Sequence, residues 1–275
     1  GSRRKSIFRS KMDETIMNKA FIDIELYTFR HACANEYEYE LNDGIWSYYC
    51  QIDDAKFGVD AEIERLNSLL PDYEMVMALG SSTNFRYSIE PSYKANRRKY
   101  RRPAGYGKLR EWIADTWPVV RYENLEADDA IGVSVRKGDV IVSGDKDLKT
   151  IPGLHLIDDN IVKVTEREAD MHFYKQILVG DRADNFFGCP GIGDQNKLFK
   201  TEEWLNAKST FDLWKIVKRE YDKAISRMTH TEEEFIVPDP WATGRLARIL
   251  REHEYFNGQI VYWQPPTFDM AWDAF

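Results

Sequence analysis

The chain has few cysteines: Cys33, Cys50 and Cys189 are odd in number and show no metal-type spacing. They read as reduced thiols of a cytosolic protein, which excludes a disulfide framework or a cysteine-built zinc site. No apolar run approaches the roughly 20 residues that a membrane-spanning helix needs. No secretory signal is visible; the sequence opens on Gly1-Ser2, read as an expression remnant, and continues basic and polar. The phosphate-loop pattern Gly-x4-Gly-Lys-Ser/Thr is absent, which argues against a nucleotidase of that class. Repeats and low-complexity tracts are lacking too. What is there is globular in character, 275 residues with 43% hydrophobic and 31% charged side chains, enough to bury a substantial core.

A net charge of −8 speaks against nucleic acid only if the charge is evenly spread, and it is not. From Pro91 to Arg110, PSYKANRRKYRRPAGYGKLR, there are eight Lys or Arg and no acid, with Tyr93, Tyr100 and Tyr106 interleaved. Cations suit a phosphate backbone, and aromatic rings suit exposed bases. Pro103, Gly105 and Gly107 interrupt any single helix here.

The acids are clustered as strongly. Leu125 to Leu148 carries Glu126, Asp128 and Asp129 at one end and Asp145 and Asp147 at the other. Between them lie an apolar helical run, a turn at Lys137-Gly138 and a buried strand, Val140–Val142, so both clusters fold to one sheet edge. Glu126 and Asp129 are spaced to share a helix face, with Asp128 beside them. Two like charges 4 Å apart repel by roughly 4 kcal/mol at an effective dielectric near 20, so such a cluster calls for cations. Mg²⁺ takes a few carboxylates and keeps several waters, and two such ions can clamp a phosphodiester. A third pair, Asp181 and Asp184, is also spaced for one helical face. The turn that follows, Gly188 to Gly193, can offer backbone N–H groups to a phosphate.

Strand patterns at Lys19–Leu26, Tyr73–Leu79, Val119–Tyr122 and Val140–Ser143, with a hairpin at Leu154–Ile157 and Ile161–Val164, alternate with helical ones. These predict an α/β fold with a mainly parallel sheet flanked by helices. Ligands of such sheets gather beyond the carboxyl ends of the strands, where Asp23 falls. Trp46–Leu70 is predicted as one long helix burying Trp46, Tyr49, Ile52, Phe57, Ile63 and Leu66. His31 is expected to be a helix residue with an ordinary hydrogen bond. Further helices are predicted within Thr201–Met228 and over Trp241–Glu252, and a loop over Thr231–Pro240.

Five motifs in order resemble the flap endonuclease / 5′-nuclease superfamily, in particular the 5′→3′ exonucleases of podovirus-type phages. They are Tyr93-Lys94-Ala95-Asn96-Arg97, Leu125-Glu126-Ala127-Asp128-Asp129, Gly144-Asp145-Lys146-Asp147, Gly180-Asp181-x-x-Asp184 and Gly188-x-Pro190-Gly191-Ile192-Gly193. The resemblance spans about Phe21 to Trp263. It implies a PIN-like nuclease core over 19–180 with a helical arch at 91–118, after a leader at 1–18. It implies a helix–hairpin (helix-3-turn-helix) DNA-binding region over 181–275. Asp23, Glu126, Asp128 and Asp145 would hold a first Mg²⁺, with Asp129 or Asp147 behind them or shared. Asp147, Asp181 and Asp184 would hold a second; Mn²⁺ is the expected substitute. Lys94 and Arg97 would act on the scissile phosphate. Tyr93, Arg98, Lys99, Arg101, Arg102, Gly191 and Gly193 would meet DNA, with K⁺ at the hairpin turn as in relatives. The implied activity is release of nucleotides from 5′ ends of duplex DNA, flaps or RNA–DNA hybrids, by a monomer in the cytoplasm of a bacterial host. Two positions depart from relatives: Glu25 and Ser81 stand where they often carry Asp. A scaffold of the same fold without catalysis, and a PIN-type ribonuclease, are the competing readings.

Overall fold

The computed structural model describes residues 17–228 and 236–268. The expected leader therefore lies outside the described residues but for its last two, and so does the first half of the 231–240 loop.

The first strand, β1 (Asn18–Asp23), ends three residues before its apolar pattern does, because the chain turns into helix α1 (Ile24–Ala34) directly after Asp23. Next comes an antiparallel hairpin of β2 (Glu36–Asn42) and β3 (Ile45–Cys50), not the start of a long helix. Its tyrosines pair across the strands, with Tyr37 stacked on Tyr49 at 5.4 Å. Gly44, at φ 77°, closes the turn and donates its N–H to Glu40. Asn-Asp-Gly between two alternating runs is a hairpin signal. Helix α2 is thus only Ile52–Leu69. Ile63 and Leu66 are buried as predicted, whereas Trp46 is 52% and Phe57 77% exposed. His31 packs its ring against Gly58, where a Cβ would sit 2.2 Å from Nδ1, and its Nε2 has no hydrogen-bond partner, contrary to expectation.

The chain returns through β4 (Tyr73–Ala78), a short helix α3 (Arg86–Ile89), helix α4 (Tyr106–Thr116) and β5 (Val119–Val120). Helix α5 (Ala127–Ser134) and β6 (Val140–Val142) follow, then β7 (Gly153–Ile157) and β8 (Asn160–Val164). The sheet order is β5-β4-β1-β6-β7-β8, and all neighbours are parallel except β7 and β8. Successive residues of β1 face opposite layers. Ala20 and Ile22 pack with Val59, Ile63 and Ile113 of α2 and α4; Phe21 packs with Ala127 and Ile131 of α5. Both faces are covered, as a parallel sheet requires.

No helical arch forms at the foot of α4. Between Pro91 and Gly105 the chain makes reverse turns and one 3₁₀ turn, Ala95–Arg97. Eight cations within 20 residues, with Pro103 inside, leave little to hold a helix there.

Helix α6 (Glu166–Val179) starts on a Thr165 cap and stops at Gly180, whose φ is 69°. Gly180 then pairs with Phe187 in a two-residue ladder. A Cβ on Gly180 would meet the Gly188 nitrogen at 2.3 Å, and one on Gly188 the Leu178 carbonyl oxygen at 2.3 Å. Only paired glycines fit this crossing, so 181–185 is a turn and not a helix. Helices α7 (Glu202–Leu205), α8 (Thr210–Met228) and α9 (Pro240–Ala247) complete the chain, packing with α6 around Phe173, Tyr174, Trp204 and Leu213. Helix α9 ends five residues early, and residues 248–251 run as an extended strap across α5.

That strap makes Gly132, in the middle of α5, unusual. A Cβ there would lie 2.1 Å from the Leu250 carbonyl oxygen. Gly→Ala inside a helix ordinarily stabilises by about 1 kcal/mol; here overpacking by roughly 1–3 kcal/mol wins. Gly132→Ala is expected to lower the urea midpoint; a raised midpoint would mean the strap does not pack as described.

Candidate active site

The carboxyl ends of β1 and β6 lie side by side where the chain order reverses, so whatever leaves those two strands meets. Asp23 is the last residue of β1, and Ser143 follows β6. Ser143 Oγ donates to Asp23 Oδ2 at 2.9 Å and accepts from the Asp145 backbone N–H at 2.9 Å. Asp145 Oδ1 in turn accepts from Asp147 N–H at 2.9 Å. Ser143 thus ties the first strand to the Gly-Asp-Lys-Asp loop. Nothing marked it in sequence except its place after the strand.

Glu126 caps the N-terminus of α5, and Asp128 follows in its first turn. Both line a cleft of about 580 Å³ with Asp23, Asp145, Asp147, Asp181 and Asp184. All seven of these expected acids are therefore brought together. Asp129 is not among them. It is 0% exposed and points away from the cleft, where Arg86 grips it through Nη1 at 2.6 Å and Nη2 at 2.9 Å. Its oxygens also accept the N–H groups of Glu126 and Leu250. A carboxylate with four such donors has no lone pair left for an ion, so of the places expected for Asp129 the geometry favours the one behind the ligands over a shared or direct contact with a metal. Spacing of three put Glu126 and Asp129 on one face, but Glu126 is a cap and its side chain leaves the helix axis.

The basic segment closes the other wall. Tyr93, expected to meet DNA, is only 2% exposed. Its Oη lies 3.0 Å from Glu126 Oε2 and 2.9 Å from Asp184 Oδ2. Its ring packs with Phe186, so it is not open to bases. Lys94, at φ 54°, bridges Glu126 and Asp184. Arg97 pairs with Asp184 and donates to the Ala183 carbonyl at 3.0 Å. Asn96 donates to the Arg182 carbonyl at 3.0 Å, docking the segment on the 182–185 turn. Arg98 and Arg102 stack on Tyr87 and Tyr106, and Lys99 lies over Tyr100. Arg98, Arg102 and the three tyrosines line a second cleft of about 800 Å³ beside the first. Arg101, expected on DNA, is held instead by Glu36 of the hairpin and lies 3.8 Å from the Tyr48 ring centroid.

Glu25 lines the edge of the same cleft, close enough to act on Asp23, but its carboxylate is engaged elsewhere. It accepts from Gly80 N–H at 3.0 Å and pairs with Arg110 at 3.0 Å, bracing the exit of β4. Ser81 bonds locally to Thr83. Gly191, at φ 85°, and Gly193 are exposed, with open space where a Cβ would stand on Gly193. Asp194 beside them pairs with Lys175 at 2.9 Å and reaches Lys146 at 3.9 Å, linking this turn to the acidic loop. Neither Asp194 nor Arg86 stood out in sequence.

Among the described residues, no group of three His, Cys, Asp or Glu side chains is arranged to hold a metal ion as it stands. Protein cations sit there instead: burial works to raise Glu126, but Arg86 and Lys94 outweigh it and hold it below the usual range. Away from them the acids are strained. Burial, then Glu25 and Asp145, push Asp23 up to about 6. Burial, then Asp145 and Asp181, push Asp147 up to about 6. Asp128 is raised further by burial and by Asp23 and Asp145.

Comparison with known proteins agrees with this geometry. Residues 52–181 match the family model described as 5′-3′ exonuclease, N-terminal resolvase-like domain. An exodeoxyribonuclease of Enterobacteria phage T3 is 28% identical over 284 residues, covering 89% of this chain and 92% of that protein. An exonuclease of Escherichia phage T7 is likewise 28% identical, with the same coverage. The fold is that of the phage T5 5′-exonuclease, whose structure with bound zinc ions aligns at a TM-score of 0.55 and 15% identity over 84% of this chain and 89% of that one. This is the PIN-like α/β class. The chain is similar to phage exonucleases over most of its length, and over residues 52–181 to the 5′-3′ exonuclease N-terminal domain.

The raised acids set a pH dependence. A carboxyl whose folded pKa exceeds its unfolded one binds extra protons when folded, so its contribution to stability is lost as pH rises through the folded value. For Asp23 and Asp147 that window runs from about 4 to about 6. In EDTA the melting temperature is expected to fall by several degrees between pH 5 and pH 7, and Mg²⁺ at pH 7 to restore it. Melting in EDTA that is flat or rising over that interval would mean the acids are not strained.

Proposed function

We propose that the chain is a divalent-metal-dependent nuclease that hydrolyses phosphodiester bonds from the 5′ ends of duplex DNA, as a 5′→3′ exonuclease and flap endonuclease. The observation that carries it is the cleft itself: seven carboxylates converge there, with Lys94 and Arg97 on its wall. The donors are all hard oxygens, and burial with like-charge neighbours drives Asp23, Asp128 and Asp147 toward protonation, so divalent ions fit this site. Asp23, Glu126, Asp128 and Asp145 would hold one and Asp147, Asp181 and Asp184 the other, Mg²⁺ by preference with Mn²⁺ as substitute. Such ions, when bound, supply Lewis acidity and a nucleophile at neutral pH.

The side chains do the rest. Lys94 and Arg97 now neutralise Glu126 and Asp184. With ions in place, both cations are released to the scissile phosphate, where charge develops in the transition state. Arg98, Lys99 and Arg102 track the incoming backbone, and the free N–H groups at Gly191 and Gly193 grip a phosphate of the duplex, with K⁺ as the cation there. Duplex ends, flaps and RNA–DNA hybrids present this same 5′ backbone to a monomer working in the host cytoplasm. The T3 and T7 relatives are exonucleases by name, and a T5 flap endonuclease variant has been solved with DNA and metal ions.

A duplex labelled at either its 5′ or 3′ end tests this directly. Early Mg²⁺-dependent release of the 5′ label is expected, and none in EDTA; early loss of the 3′ label would reverse the polarity. Asp145→Asn should cut turnover about 10³-fold while DNA binding in Ca²⁺ persists. Lys94→Ala should lower kcat by ~10²-fold or more with duplex affinity changed far less. Equal losses in both would make Lys94 a docking residue only.

A further inference from the structure

Arg86 stands out among the charged residues at the back of the cleft. It is 3% exposed, on a four-residue helix that leads into the basic segment. A guanidinium has five N–H donors, and Arg86 makes five hydrogen bonds. Two go to Asp129, one to Glu126 Oε2 at 3.3 Å, one to the Leu246 carbonyl at 2.8 Å and one to the Arg248 carbonyl at 2.6 Å. Its plane lies over Phe85 at 4.5 Å. Three parts of the chain, far apart in sequence, meet on this one group.

The consequence falls on Glu126. Its Oε2 is taken by Arg86 Nη1 and by the Tyr93 hydroxyl, while Oε1 faces the cleft and Lys94. We propose that Arg86 is a positioning residue of the active site. It turns one oxygen of Glu126 inward and presents the other alone to the divalent ion, and it recruits the 246–250 strap as a working part of the site. Asp129 is the anchor of this clamp: it fixes the fork of Arg86 bidentately, and its Oδ1 takes the Leu250 N–H. Arginine suits the task because its charge is permanent and its fork rigid. With a divalent ion bound, the flexible Lys94 ammonium would give up Glu126 Oε1, while the Arg86 clamp on Oε2 would stay in place. The inference rests on the metal-site reading above.

The measurement is Mn²⁺ affinity, read by electron paramagnetic resonance without DNA, alongside thermal melting. Arg86→Lys keeps the charge and loses the fork. Arg86→Met with Asp129→Asn removes the buried charges as a pair, so that neither is stranded. Both are expected to bind Mn²⁺ ~10- to 100-fold more weakly, the usual cost of losing a partner that orients a ligand, while DNA affinity in EDTA holds. A purely structural Arg86 would lower the melting temperature and leave the Mn²⁺ affinity of the folded protein unchanged; that result in either variant overturns the proposal. A parent chain that binds no Mn²⁺ would overturn the metal reading first, a separate outcome from parental binding that the variants fail to weaken.

Discussion

Like-charge repulsion at one end of one sheet is the constraint around which this molecule is built. The seven expected carboxylates share a cleft whose floor is the carboxyl edge of β1 and β6, and burial makes Asp23, Asp128 and Asp147 harder to ionise. The fold answers with cations of two kinds. Arg86 is permanent, enclosed and saturated with acceptors. Lys94 and Arg97 come from a segment without regular structure and rest on the same acids from the solvent side. The first stabilises the scaffold of the site; the second holds its charge until something better placed arrives. Glu126, touched by both, is the one acid in the cleft whose pKa is shifted below the ordinary range.

Much of this was legible in the residues. Alternating strand and helix patterns predicted the parallel sheet, and the position of Asp23 after a first apolar strand predicted its place at the edge. The Glu-Ala-Asp-Asp and Gly-Asp-Lys-Asp clusters reach one cleft because Lys137-Gly138 turns the chain between them. Less visible was the direction each side chain takes. Asp128 and Asp129 are adjacent and chemically identical, and only the depth of Arg86 decides that one serves the cleft and the other the core. The hairpin at 36–50 was hidden because its aromatic residues also fit a helical period; the Asn-Asp-Gly turn was the stronger signal. Helix α9 stops early where Arg86 takes the carbonyls of Leu246, in its last turn, and of Arg248, at its cap, a tertiary demand that no local pattern carries.

The two glycines at 180 and 188 show the same principle in backbone. Their spacing is that of an ordinary helix–turn signature, yet what they allow is a crossing of two chain segments too close for any side chain. That crossing puts Asp181 and Asp184 on a tight turn facing Lys94 and Arg97, where a helix would have spread them along its axis. Asp194, bound to Lys175 and near Lys146, then ties the exposed glycine turn to the loop bearing Asp145 and Asp147.

The strap that finishes the Arg86 clamp also places the site in time. Asp129 and Leu250 are 121 residues apart in the chain. At roughly 5–20 residues per second, about 6 to 24 seconds of translation separate them. Late in that interval, once Asp184 has been made, the acids, the basic segment and the sheet edge all exist, but Arg86 still lacks the carbonyls of residues 246 and 248. A ribosome-bound chain thus holds the parts of its cleft before it holds their geometry, and competence arrives only as synthesis of the last helix and its strap is completed.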